Sequence, residues 1–193
     1  MGCGSSTPEE PLIPQRVVWL RHTVMDQSTI LVHPDGYPPE SPPLYSAQLH
    51  KYTKPSVRFF QGPVGGGPQV GEGNFHQISW STDLSLRGQS FKLSMSQLNY
   101  DLTLKGTPMG ELKWKKNKFT GGSLELVDDN GRTLAKVKSA GVTNITEKRL
   151  EIYIQCDDFF SDLIILSAIA ARLATDIVTS NTAVTQNYAA LDS

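Results

Sequence analysis

A mainly β chain, built as a β-barrel that encloses a C-terminal hydrophobic α-helix, is the fold the sequence predicts. Two patterns carry that expectation. Between residues 75 and 155, apolar and polar residues alternate in short runs, with turn residues about every ten positions, as in an antiparallel meander. After them, Phe159 to Val178 holds neither proline nor glycine and is apolar on nearly all sides. Such a helix must be surrounded, and in a chain otherwise made of strands the surrounding element is sheet. With 193 residues there is enough chain for one compact domain with short extensions, and not comfortably enough for two. Charged residues make up 19% and the net charge is −1, which argues against a charge-driven disordered chain and a generic nucleic-acid binder. Cys3 and Cys156 lie 153 positions apart and make neither a disulfide framework nor a zinc site.

Residues 1–15 read as a lipidated linker. Met1-Gly2-Cys3-Gly4-Ser5-Ser6 fits the N-myristoylation pattern, with Gly2 as acceptor once Met1 is removed. The transferase needs an unhindered N-terminal amine, which only glycine offers. Cys3 is the expected S-palmitoylation site beside it, because a thiol next to a myristoylated glycine is held at the membrane surface. One myristoyl chain binds a bilayer only marginally, at about 10⁴ M⁻¹, and a second makes the anchor stable. No apolar secretory run follows the start. The expected location is therefore the cytosolic face of a plasma membrane or endomembrane, and Asn144-Ile145-Thr146 is a chance glycosylation match.

The barrel is expected over residues 16–178. Arg16 to Leu20 and Thr29 to Val32 are short β-branched strands. Residues 34–45 form a proline-rich loop, exposed and extended, since Pro34, Pro38, Pro39, Pro42 and Pro43 fit neither a helix nor a sheet interior. Within it, Pro42-Pro43-Leu44-Tyr45 matches the PPxY motif. A preformed extended segment loses little entropy on docking, and its prolines and tyrosine fill the aromatic grooves of a WW domain. Gly62 to Asn74 is glycine-rich but lacks the lysine of a phosphate loop, and reads as a flexible connector.

Further strands are expected from the alternation of Phe91, Leu93 and Met95, of Leu102 and Leu104, of Leu112 and Trp114, of Leu124 and Leu126, of Leu134 to Val137, and of Leu150 to Ile154. With the two short strands before the proline loop, about nine strands are expected. Asn130-Gly131 marks a hairpin. The neighbouring Asp128 and Asp129 do not make a calcium loop, because the position five before the glycine is Leu126. The core helix is expected over 158–178, with acids at its start, followed by a polar tail over 179–193. A membrane-spanning helix is the competing reading, but Asp162, Arg172 and Asp176 leave only Leu163 to Ala171 uncharged.

Strands with a late Asn-Gly hairpin (Leu124 to Val137), a last strand (Leu150 to Ile154) and an acid-started apolar helix (Asp157 to Val178) resemble the tubby C-terminal, LURP-one-related and phospholipid scramblase superfamily. The resemblance covers residues 76–178 best. It implies a twelve-stranded barrel around a hydrophobic helix, phosphoinositide binding as in the tubby branch, and lipid association as in the scramblase branch. It implies no particular lipid-binding residues. The chain's own headgroup candidates are Lys113, Lys115, Lys116 and Lys118, lysines near an anionic leaflet contributing about 1 kcal/mol each. Lysines on an edge strand that resists aggregation are the plainer reading, and the preferred one.

No histidine pair has metal spacing, no nucleophile signature appears, and Cys156 beside two aspartates is a poor nucleophile. The expectation is a non-enzymatic, membrane-anchored domain without cofactor or metal, binding inner-leaflet lipid or a protein partner and no nucleic acid. The alternatives are a PPxY adaptor that recruits a WW-domain protein such as a ubiquitin ligase, and a scramblase-like activity.

Overall fold

A computed structural model of the chain describes residues 12–23, 26–50, 53–116, 123–140 and 147–191, the side chains of 179–191 excepted. Twelve strands precede one helix: β1 (Arg16–His22), β2 (Thr29–Pro34), β3 (Tyr45–Leu49), β4 (Val57–Gln61), β5 (Gln69–His76), β6 (Ser81–Leu86), β7 (Gln89–Met95), β8 (Leu102–Thr107), β9 (Gly110–Lys116), β10 (Leu124–Val127), β11 (Thr133–Ser139), β12 (Lys148–Ile152) and α1 (Asp158–Leu191). Each strand pairs antiparallel with the next in sequence, and β1 pairs with β12, so the sheet closes into a barrel. The predicted class, a mainly β barrel with one C-terminal helix, is the one observed.

The turns follow their residues. Arg87 (φ 49) and Gly88 (φ 82) join β6 to β7 with two left-handed residues, the geometry that matches strand twist in a two-residue hairpin. Between β10 and β11, Asp128 Oδ1 accepts from the backbone N–H of Asn130 at 3.0 Å and of Arg132 at 2.8 Å. The acidic run thus closes on itself as a turn.

Four strands lack a clear sequence signature, β6 (STDLSL) among them because four of its six residues are polar. β3 (YSAQL) is short and half polar, and β4 follows a segment rich in turn residues. β5 lies partly inside the supposed glycine-rich connector. Its glycines face the lumen, where the helix comes close. A Cβ at Gly71 would stand 3.2 Å from Leu166 Cδ2 and 2.8 Å from the Ser85 carbonyl oxygen. Gly71 is what lets the strand pass the helix, while a Cβ at Gly73 would meet Leu84 on the neighbouring strand at 2.9 Å.

Eight strands leave a lumen just wide enough for side chains, whereas twelve admit a helix about 10 Å across. α1 occupies that space. Leu163 to Ala171 are 0–2% exposed on every face of the helix, including the alanines that keep it slim. Trp114 on β9 points inward and its Nε1–H donates to Ser167 Oγ on α1 at 3.2 Å. Asp157 caps the helix start, accepting from the Phe160 N–H at 2.8 Å. The helix continues to Leu191, so most of the expected polar tail is helical backbone.

Two local expectations are corrected; a third, the exposed proline-rich loop, is exposed over residues 35–40 and is also anchored. The proline-rich loop is strapped to the outer face of β1 and β2: Trp19 Nε1–H donates to Asp35 at 2.7 Å, Arg21 to the Tyr37 carbonyl at 3.1 Å, and His33 Nε2 meets the Ser41 carbonyl at 3.0 Å. Tyr45, the last residue of the PPxY string, is the first of β3 and lies inside the barrel, 8% exposed and stacked on Phe59. β9, which carries Lys113, Lys115 and Lys116, is paired on both sides, with β8 and with β10. A closed barrel has no edge, so these lysines do not guard one.

Candidate functional site

The helix fills the lumen, so ligand contact falls to the outer wall and the two rims. Strand direction assigns the rims. α1 enters at the rim that holds Arg16, Tyr45, Leu86 and Ile152. It leaves at the rim that holds His22, His76, Met95 and Lys116.

At the entry rim a polar group locks the helix. Arg87 donates to Asp162 Oδ2 at 2.6 Å, and Arg16 donates to Ser161 Oγ at 2.8 Å. The Asp162 side chain is fully buried, and burial raises its pKa, opposed by Tyr45 and Arg87. Burial, and then the facing Asp162 carboxylate, pushes the Tyr45 phenol up to about 12. These groups are held by one another and by the core.

The exit rim is different. A cleft of about 540 Å³ opens between the β3–β4 and β5–β6 turns, lined by Lys54, Ser56, Phe75, His76, Gln77 and Ile78 among others. His76 Nε2 lies 2.8 Å from Asp83 Oδ2, and its Nδ1 lies 3.5 Å from Lys54 Nζ. With Asp83 accepting from Nε2–H, Nδ1 bears the lone pair that meets the ammonium. The remaining Lys54 protons are available to an anion.

Beside the cleft, two side chains stand almost wholly in solvent: Ile78, 99% exposed in the β5–β6 turn, and Leu98, 97% exposed in the β7–β8 turn. Their turns share a pattern. Gln77-Ile78-Ser79-Trp80 and Gln97-Leu98-Asn99-Tyr100 both read glutamine, aliphatic, polar, aromatic. The aromatic closes each turn in the left-handed region, Trp80 at φ 47 and Tyr100 at φ 61, a conformation that bulky residues rarely adopt. The two rings stack on each other, centroids 6.2 Å apart. The sequence holds a signal for this pair, the repeated tetrapeptide, but a single aliphatic in a turn attracts no notice alone.

Of the sequence-predicted residues, Gly2, Cys3 and Lys118 lie outside the described residues. Lys115 and Lys116 are exposed at the exit-rim end of β9, and Lys113 is half-buried farther along the wall. Pro42 and Pro43 lie in the strapped loop with Tyr45 turned inward, so the string does not present its tyrosine to a partner. Cys156 is partly buried, and its thiol is pushed up by burial and then by Asp157. Among the described residues no metal-holding cluster occurs, and no helix is long and apolar enough to cross a membrane.

The class these features define is a closed antiparallel barrel plugged by its own helix, with a polar lock at one rim and a cationic cleft beside two aliphatic tips at the other. No protein-family model, curated protein or solved structure matches the chain.

Proposed function

We propose that this chain is a non-enzymatic, acyl-tethered lipid-binding barrel on the cytosolic face of a membrane, of the tubby, LURP-one-related and scramblase kind. The observation that carries the reading is the filled lumen. A barrel whose interior is its own helix has only its rims and wall to bind with, and the exit rim offers Lys54 in a cleft, with Lys115 and Lys116 farther round. Twelve strands around a C-terminal helix support the kinship. Gly2 and Cys3 supply the tether. The 14 steps of chain from Gly2 to Arg16 reach about 50 Å when extended, and a seven-residue strand spans about 23 Å, so a tethered barrel can turn either rim to the bilayer.

The test is metabolic labelling with a myristate analogue. The unaltered chain is expected to take up label and follow membranes, and Gly2→Ala to do neither. Equal label in both overturns the tether.

A further inference from the structure

We propose that the β5–β6 and β7–β8 turns act as one hydrophobic wedge that enters the surface of an anionic bilayer, with Ile78 and Leu98 as its tips. The proposal rests on the lipid-binding reading above and names the surface that does the binding.

Four observations converge on it. Ile78 and Leu98, 99% and 97% exposed, are the two most exposed large apolar side chains among the described residues, and they stand on neighbouring turns rather than singly. The tetrapeptide that presents each tip is the same in kind and ends in each case on an aromatic at positive φ. The stacked Trp80 and Tyr100 rings join the two turns, so the tips are offered together and by a rigid base. Backbone bonds hold each turn: Met95 N–H donates to the Trp80 carbonyl at 2.8 Å, and Ser96 N–H to the Asp101 carbonyl at 2.8 Å. Little ordering entropy is left to lose on insertion.

Charge says which surface the wedge fits. Around the exit rim the order of turns places Lys54 before Ile78, and Lys115 and Lys116 after Leu98. The apolar tips are thus flanked on both sides by ammonium groups; of the acids between them, Asp101 accepts from Asn99 at 2.7 Å and Asp83 lies 2.8 Å from His76 Nε2, while among the described residues Lys115 and Lys116 make no ion pair. Aliphatics that enter the acyl boundary, with lysines left at headgroup level, are what an anionic leaflet accepts. The entry rim is the poorer candidate. Its apolar side chains Leu12, Ile13, Tyr37, Leu44, Val64 and Met109 are 37–75% exposed, against 97–99% for the two tips, and among the described residues no ring stack joins them into one base. α1 leaves through the exit rim, so contact is made by the β5–β8 arc of that rim, with the barrel tilted.

The experiment uses the full chain carrying Gly2→Ala, so that no acyl chain contributes, and vesicles of phosphatidylcholine with or without phosphatidylserine. Partitioning to the phosphatidylserine vesicles is expected. It should fall roughly tenfold or more in Ile78→Asp/Leu98→Asp, with the thermal unfolding profile unchanged because neither side chain is packed. It should also weaken in Lys54→Gln/Lys115→Gln/Lys116→Gln and in high salt, and stay the same in Met109→Asp at the opposite rim. Equal partitioning of the double aspartate variant overturns the wedge, as does an equal loss in Met109→Asp. A concentration-dependent dimer that the double variant abolishes, without vesicle binding, assigns the tips to self-association and also overturns it. Failure of the wedge with Gly2-dependent membrane association intact leaves the tether standing, and the converse result leaves the wedge.

Discussion

His33 shows how one buried side chain holds a loop and makes it sensitive to pH. It lies fully buried on β2 beneath the proline-rich strap, with Nε2 at the Ser41 carbonyl and Nδ1 without a partner. A carbonyl accepts, so Nε2 carries a proton, and a second proton on Nδ1 would be buried without an acceptor. Burial lowers its pKa, and Arg21 nearby pushes the same way against the Ser41 bond. The unfolded chain titrates near 6.5 and binds the proton first, so stability is lost as pH falls from about 6.5 toward the folded value. His22, also lowered, chiefly by burial, adds to the same slope. Urea midpoints are therefore expected to drop between neutral and mildly acid pH, and to drop less in His33→Gln. The same slope in both proteins would show that the charging group lies elsewhere.

At the scale of elements, the fit between β5 and α1 decides whether the barrel closes around its helix. Gly71 sits where any Cβ meets Leu166 and the Ser85 backbone. The Ser85 oxygen belongs to the neighbouring strand and cannot move without breaking the β5–β6 ladder. Gly71→Ala is therefore expected to destabilise by about 1–3 kcal/mol, the cost of overpacking a well-filled core, although alanine adds a single methyl group. Thermal unfolding measures it, and an unchanged midpoint would mean that the helix has slack at this level. β5 also explains why alternation undercounted the strands. Val70, Glu72, Asn74 and His76 face outward, but two of the inward positions, Gly71 and Gly73, carry no side chain, so no period-two pattern is visible. β7 and β9 set Phe91, Leu93, Met95, Leu112 and Trp114 inward, and β12 sets Leu150 and Ile152 inward beside a buried Lys148, so these strands are plain.

For the whole molecule, closure and filling are one event. β1 pairs with β12 across most of the chain length, and the lumen is filled only by residues that come after β12. A chain that stops at Asp157 keeps every strand yet lacks Leu163 to Ala171 and the Trp114–Ser167 bond. Its inward leucines would line a void too large to remain empty. Such a truncation is expected to lose its cooperative thermal transition and to bind a hydrophobic dye, as collapsed but unpacked states do. A cooperative melt would mean that the wall is self-sufficient.

The mainly β class, the buried helix and most strand positions were legible because they follow from local rules. A side-chain period of two or of about 3.6 records which face is covered, and an apolar stretch without a polar face records that all faces are. The proposed acyl tether rests on Gly2 and Cys3 alone, which lie outside the described residues. Three things were decided in three dimensions. Ring closure, which leaves the lysines of β9 no edge to guard, depends on Arg16 meeting Ile152 and Leu20 meeting Lys148 in register. The inward turn of Tyr45 depends on β3 starting at Tyr45 itself, two residues after Pro43, a boundary no composition marks. The exit rim depends on two turns, 20 residues apart in sequence, being brought side by side so that Trp80 can stack on Tyr100. Local preference records which face of an element is covered, while the neighbours it meets are set by how the whole ring closes.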